Sequence, residues 1–487
     1  GLIFIQCNDS GDLNEPSTED FFPEKLYSLD GNGRIVDTEM MPTDFLPSDS
    51  CMSCHPNHYN EWNESMHAYA MKDPVFFGGW NGEQLSRPGT GERFCLQCHN
   101  PVAFVTGVFL DQYGDSESLQ NSNENHVIKE GIGCDVCHGE EHQNNNDVEK
   151  VEFPTPETCA ECHEEKVEQF SKGKHALAWA AMEAMPTTHW KPMELIEGQK
   201  GCGGCHKIGM KSKSQIENLR KNGNTYGNAS CDACHTRHTF SLKEARQPQA
   251  CQTCHMGFDH PQWEMYSSSK HGVRYLLKQN GILPENTSAP TCQDCHMPDG
   301  DHEVRTAWGF LAVRTDGLAP YPGEDAEWWA NRVTILQALG VLDPEGKPTG
   351  RLDVVANAQV ARLTAEGFDV EREKMIKVCM KCHSENYSRG ELKKGDDLIK
   401  AGDALLAEAI RIIADLYEKG LLVKPDTYLY NFPDLLTFHD APTPIEQKLF
   451  VMHLKHRMRL FQGAFHNNPD YSLWYGCWNT SNRRLWF

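Results

Sequence analysis

Nine times along this chain, two cysteines separated by two residues are followed immediately by a histidine. The motifs are Cys51, Cys54 and His55; Cys95, Cys98 and His99; Cys134, Cys137 and His138; Cys159, Cys162 and His163; Cys202, Cys205 and His206; Cys231, Cys234 and His235; Cys251, Cys254 and His255; Cys292, Cys295 and His296; and Cys379, Cys382 and His383. At this composition chance supplies on the order of 0.04 such motifs. They consume eighteen of the 20 cysteines and leave only Cys7 and Cys477. CxxCH is the attachment signature of c-type heme: both thiols form thioethers to the macrocycle, and the histidine reaches the iron from the same segment. Zinc sites combine separated CxxC pairs and need no histidine after each second cysteine. A disulfide framework needs no histidines at all. Nine hemes c are therefore the expected cofactor.

Hemes also explain the composition. Only 39% of the 487 residues are hydrophobic, and macrocycles would replace much of the aliphatic core. The expected fold class is mainly α, with little β structure, a heme-packed core and long C-terminal helices. No apolar run approaches the roughly 20 residues of a membrane span. A net charge of −23 argues against nucleic acid or anionic membrane surfaces as partners. Heme c is attached outside the cytoplasm, so a periplasmic or otherwise extracytoplasmic location is expected. The opening GLIFIQCNDSG admits two readings. One is the end of a signal sequence with Cys7 lipidated, for which Phe4 and Gln6 make a poor match. The other, which weighs more, is a plain strand with a free thiol.

Four regions are expected: an N-terminal arm or cap at 1–50, the multiheme domain at 51–390, long C-terminal helices at 391–470 and an aromatic tail at 471–487. Apolar residues recur at helical spacing over 396–420, with Gly420 as the stop, and again over 445–466.

A heme held by two histidines needs a second one from elsewhere. Nine of the 23 histidines close motifs, leaving fourteen. Eight have local settings that suit a distal ligand: His67, His126, His142, His175, His238, His271, His302 and His466. His58, His189, His439, His453 and His456 read as ordinary. His260, beside Asp259, remains, and it is either a further iron ligand or a proton-transfer group facing an open iron. A carboxylate next to its own histidine along the backbone is seldom placed to orient that ring, which favours the second alternative.

The run CDACHTRHTFSLKEARQPQACQTCHMGFDHPQWEMYSSSKHG at 231–272 resembles the matching part of hydroxylamine oxidoreductase, the octaheme enzyme of nitrifying bacteria. The likeness extends from CMSCHPNHYNEWNESMHA through APTCQDCHM and CMKCHSE to HNNPDY. The resemblance implies a five-coordinate catalytic heme on Cys202, Cys205 and His206, with Asp259 and His260 as its distal pair. It implies bis-histidine electron-transfer hemes elsewhere, a helical fold and trimers formed through the C-terminal helices. The implied substrates are small nitrogen compounds (nitrite, hydroxylamine or hydrazine), with a cytochrome or quinone-linked redox partner.

Three departures matter. The surplus motif is Cys95–His99, with His126 as a candidate partner, in a stretch similar to tetraheme electron carriers, so a wire heme is expected there. Oxidising members of the family crosslink a tyrosine of a neighbouring subunit to the catalytic heme. Counted from Asn468–Pro469, Trp474 takes that place, and Tyr475 fits only with a one-residue shift, leaving Tyr471 and Tyr475 as the tyrosines to examine. A pocket tyrosine expected after Trp308 is replaced by Phe310 and Leu311. The unsettled register of the crosslinking tyrosine tilts the expectation towards reduction of nitrite or hydroxylamine. The rival from another class is a pure electron conduit with every heme six-coordinate. A redox sensor or heme-delivery protein has no positive support in the residues.

Overall fold

The computed structural model describes residues 40–76, 95–106, 122–139, 154–184, 203–221, 230–257, 259–307, 325–357, 364–436 and 443–478, together with four two-residue strands between 6 and 36. His142, His189, His439, Cys202, Trp308, Phe310 and Leu311 lie outside these residues. The fold is mainly α. Among the described residues the sheets are two hairpins, Gln6–Cys7 with Leu13–Asn14 and Ser28–Leu29 with Ile35–Val36.

The motifs explain the bias towards short helices. Where the backbone is described, CxxCH closes into a single helical turn: the His55 amide donates to the Cys51 carbonyl at 2.8 Å, His235 to Cys231 at 3.0 Å, and His255 to Cys251 at 2.9 Å. At that pitch the residues at i, i+3 and i+4 share one face. Both sulfurs and the imidazole can then address one macrocycle.

The chain divides into two compact units, Gly1–Glu168 with Lys211–Asn218 and Asn228–Ala245, and Gln169–Met210 with Leu219–Gly227 and Arg246–Phe487. The first holds five motifs and an apolar cluster built on Phe45, Met71, Leu96, Phe104 and Ile128, with Cys95 packed against it. The second holds the other four motifs and a larger aliphatic core.

That core is organised by one 34-residue helix, Glu385–Glu418. Ser384 caps its start by accepting from the Tyr387 amide. Its end follows the expected stop: Gly420 adopts φ +65°, Leu421 donates to the Leu416 carbonyl and Gly420 to that of Tyr417. This is a Schellman closure, which glycine makes without steric penalty. The helix starts upstream of the periodic run because Ser384 directly follows the last motif. Its buried stripe includes Leu392, Ile399, Leu406, Ile410, Ile413 and Tyr417. Within the stripe, Asp403 is wholly buried and accepts from Arg332 Nη1 at 2.8 Å and from Arg457 Nε and Nη2 at 2.9 and 2.7 Å.

The second C-terminal helix is interrupted in character though not in path. Pro444–Phe450 runs into a π-helical stretch, Val451–Arg457, and then into Met458–Phe465. Gly402 lets the last segment approach the long helix, since a β-carbon there would meet the Leu460 side chain at 3.0 Å. No helix among the described residues is long and apolar enough to cross a membrane.

Candidate heme sites and the Asp259–His260 pair

Two imidazoles sharing one metal at bond lengths of about 2 Å hold their ring centroids about 6 Å apart. The structure repeats that spacing between motif histidines and spare ones. In the first unit His163 faces His67 at 6.3 Å and His138 faces His238 at 6.2 Å. In the second, His255 faces His175 at 5.9 Å, His383 faces His271 at 6.1 Å, and His296 faces His466 at 6.4 Å. Five of the eight distal candidates thus stand opposite a motif histidine at the distance an iron needs. The residues present fit heme c held by two histidines.

The local chemistry agrees. Burial holds His67, His175, His271 and His466 below the usual imidazole range, and pushes His255 down to about 3 and His296 to about 4. The neutral ring is the form that binds a metal. Burial alone does not mark a ligand, because His453, in the π-helical stretch, is pushed just as far without facing a motif histidine in the described residues.

Ring orientation is set through Nδ1. His206 directs Nδ1 to the Ala178 carbonyl at 2.8 Å, His99 to that of Ala70 at 3.0 Å, His466 to that of Gln462 at 2.7 Å, and His302 to that of Gly300 at 2.9 Å. Each anchor leaves Nε2 for the iron, the usual outer-shell arrangement around a metal-bound histidine. Two helix caps position candidate ligands through the backbone instead. Buried Ser65 caps Met66–Tyr69, and buried Ser269 caps Lys270–Gln279. His67 and His271 each follow their serine by two residues. The shared Ser-x-His pattern was a legible signal.

Sulfurs of different motifs also meet. Cys51 is a hydrogen-bond partner of Cys134, Cys98 of Cys162 and Cys159 of Cys231; in the second unit, Cys205 pairs with Cys254 and Cys251 with Cys292. Macrocycles attached there would be close neighbours, as electron transfer between them requires.

Not every candidate faces a motif histidine among the described residues. His126, offered for the ninth motif, directs Nδ1 at Asp49 at 3.3 Å. Among the described residues no second histidine ring meets His99, whose ring stacks on Phe76 at 3.7 Å. His58, read as ordinary, lies 4.5 Å from the His238 ring and shares Glu61 with it. The spacing CxxCHxxH, common to Cys51–His58 and Cys231–His238, was the overlooked signal. His456 lies buried with Nδ1 towards the Tyr475 carbonyl at 3.2 Å.

The Asp259–His260 pair stands on the far side of His206. The His206 and His260 rings are 6.4 Å apart and nearly perpendicular, at 79°. Asp259 Oδ2 lies 3.2 Å from His260 Nδ1, so a backbone neighbour does reach the ring here, against the expectation from sequence. Burial works against the Asp259 carboxylate, but the His260 hydrogen bond and charge outweigh it and hold its pKa below the usual range. Burial likewise pushes His206 below the usual imidazole range. The segment is fastened from the C-terminal region. Gln462 Nε2 donates to the Asp259 carbonyl at 3.3 Å. Asn468 Nδ2 donates to the Met265 carbonyl at 2.9 Å and to Ser268 Oγ at 2.8 Å. Asn468 also accepts from the Tyr471 amide. Beyond it Tyr471 and Tyr475 lie 4.9 Å apart, with Trp474 and Tyr475 exposed.

Helical turns of CxxCH, most of them facing a second histidine among the described residues, define a multiheme c-type cytochrome. Comparison makes this specific: residues 129–333 and 350–428 match the family described as "Seven times multi-haem cytochrome CxxCH", and the chain belongs to that family. Residues 50–139, around the surplus motif, match the cytochrome c554 and c-prime family. A curated relative from Kuenenia stuttgartiensis, a probable nitrite reductase-hydroxylamine oxidoreductase fusion protein, is 26% identical over 505 residues, 88% of this chain and 49% of the relative. The chain thus spans about half the length of that relative. Among solved structures, a reducing HAO-like protein complex of Kuenenia stuttgartiensis matches with a TM-score of 0.58 at 20% identity, over 92% of this chain and 86% of that one. A hypothetical multiheme protein matches with a TM-score of 0.52 at 19% identity, over 92% and 97%. The hydroxylamine oxidoreductase-like resemblance and the mainly α multiheme fold are upheld.

Proposed function

We propose that this chain is an extracytoplasmic oxidoreductase of small nitrogen compounds, with nine hemes c, of which one, on Cys202, Cys205 and His206, is open to substrate. Reduction of nitrite or hydroxylamine is favoured over oxidation of hydroxylamine or hydrazine. The observation that carries the reading is the Asp259–His260 dyad facing His206. A heme bound there supplies a coordination position and electrons. His206 holds the proximal side, its ring fixed by the Ala178 carbonyl. Asp259 fixes His260 through Nδ1, so that Nε2 can give up or take a proton at the substrate, the task of a general acid or base. The remaining ring pairs, saturated by two histidines, would store and pass the electrons that a multi-electron reaction demands. Kinship with the fusion protein supports nitrogen chemistry. Trimers formed through the C-terminal helices belong to the same reading, as does a cytochrome or quinone-linked redox partner.

The conduit reading has one observation in its favour: the 6.4 Å between His206 and His260 matches the spacing of the His296–His466 pair. His260 would then be the sixth ligand and Asp259 its outer anchor. Electron paramagnetic resonance and resonance Raman spectra of the resting protein separate the two. One five-coordinate high-spin heme is expected; a wholly low-spin set would end the enzyme reading.

A further inference from the structure

The carboxylate of Glu61 serves two histidines with one oxygen. Its Oε2 lies 3.3 Å from Nδ1 of His238 and 3.5 Å from Nδ1 of His58. Both histidines occupy the same place, three residues after a motif histidine, in the two CxxCHxxH segments. Glu61 belongs to the helix Pro56–Asn63 that directly follows the first motif, so His58 and Glu61 stand three apart on one helical face. His238 faces His138 at 6.2 Å, which commits its Nε2 to the iron side and leaves Nδ1 as the donor to Glu61. In the second unit the Nδ1 atoms of His206, His466 and His302 are anchored on neutral backbone carbonyls, and that of His260 on Asp259.

We propose that Glu61 is a positioning residue that sets the reduction potential of the heme held between His138 and His238, with His58 locking the carboxylate in place. An anionic acceptor on Nδ1 draws the proton away from the ring and makes Nε2 a stronger donor. A stronger axial donor stabilises the oxidised iron and lowers its potential. His58 contributes by sharing the same oxygen, and its side chain is 60% exposed, so it can be replaced without opening a core. The three side chains also lie close enough to hold a divalent cation. A cation there would need His238 to bind metals through both nitrogens, and a hydrogen bond makes no such demand.

The test is a spectroelectrochemical titration of the fully loaded protein and its Glu61→Gln variant, with electron paramagnetic resonance at each potential. One low-spin heme is expected to move to higher potential in Glu61→Gln, with a changed g-value spread, while heme content and the other potentials hold. His58→Ala should shift the same heme in the same direction by less. It decides the matter if the glutamine variant loads poorly. Unchanged potentials and g-values in both variants would overturn the proposal. So would stoichiometric Zn2+ binding by the wild-type protein, seen by calorimetry and lost in both variants.

Discussion

Asp259 and His260 are adjacent in the chain and adjacent in space through their side chains, with Oδ2 3.2 Å from Nδ1. The contact occupies Nδ1 of His260 and leaves its other nitrogen unengaged by Asp259, and the His206 ring lies 6.4 Å away. Replacing Asp259 by Asn keeps the shape and removes the charge. Turnover with nitrite or hydroxylamine should fall by about 100- to 10,000-fold, the range spanned by general acid–base contributions. Reduction of the heme set by dithionite should be unaffected. Steady-state assays beside stopped-flow reduction check this, and unaltered turnover would remove Asp259 from the chemistry.

His260→Ala distinguishes a pocket group from an iron ligand. In the enzyme reading the count of low-spin hemes stays the same and only turnover drops. A newly created high-spin heme in the variant would show instead that His260 had been the sixth ligand.

Mass analysis of proteolytic heme peptides should count nine attached hemes, with none bonded to Tyr471 or Tyr475. The double variant Cys95→Ser, Cys98→Ser should lose one heme and retain the rest, because the apolar cluster around Leu96, Phe104 and Ile128 remains to hold the fold. Loss of every heme from that variant would contradict the role of an added electron carrier.

Asp403 stands between the buried guanidiniums of Arg332 and Arg457. Asp403→Ala leaves two buried cations facing each other and should cost about 3–5 kcal/mol. Denaturant unfolding followed by far-ultraviolet circular dichroism measures the loss.

His453 gives the pH dependence a clean reporter, being buried and facing no motif histidine in the described residues. Burial, then the nearby Arg457, pushes it down to about 3 from an ordinary 6.5. The unfolded chain therefore binds this proton first as the pH falls. The stabilisation is complete above pH 6.5 and is lost progressively towards pH 3. His453→Leu should flatten the fall by at most about 1.4 kcal/mol per pH unit within that window. Denaturation midpoints across a pH series test the sign.

Attachment chemistry was legible in the residues because it is local. Cys-x-x-Cys-His closes one helical turn wherever it occurs, so cofactor class and helical bias follow from spacing alone. Gly420 was legible for the same reason, since a left-handed residue ends a helix by its own backbone geometry. His58 was missed although its signal was local too: it repeats the setting of His238, but only Glu61 reveals that the two are connected. The expectation that His126 would serve the ninth motif rested on proximity in sequence; that Asp49 would anchor its Nδ1 could not be read there, because the two residues meet only in the fold.

By itself, then, the sequence determined that this is a helical multiheme cytochrome and which cysteines and histidines form the CxxCH attachment motifs. Only the tertiary structure decided which distant histidine faces which motif. His296 and His466, 170 positions apart in the numbering, meet because the C-terminal helix carries His466 back to the motif. The same helix ties Gln462 to the Asp259 carbonyl. A second axial ligand is a long-range partner, set by the packing of helices rather than by spacing along the chain.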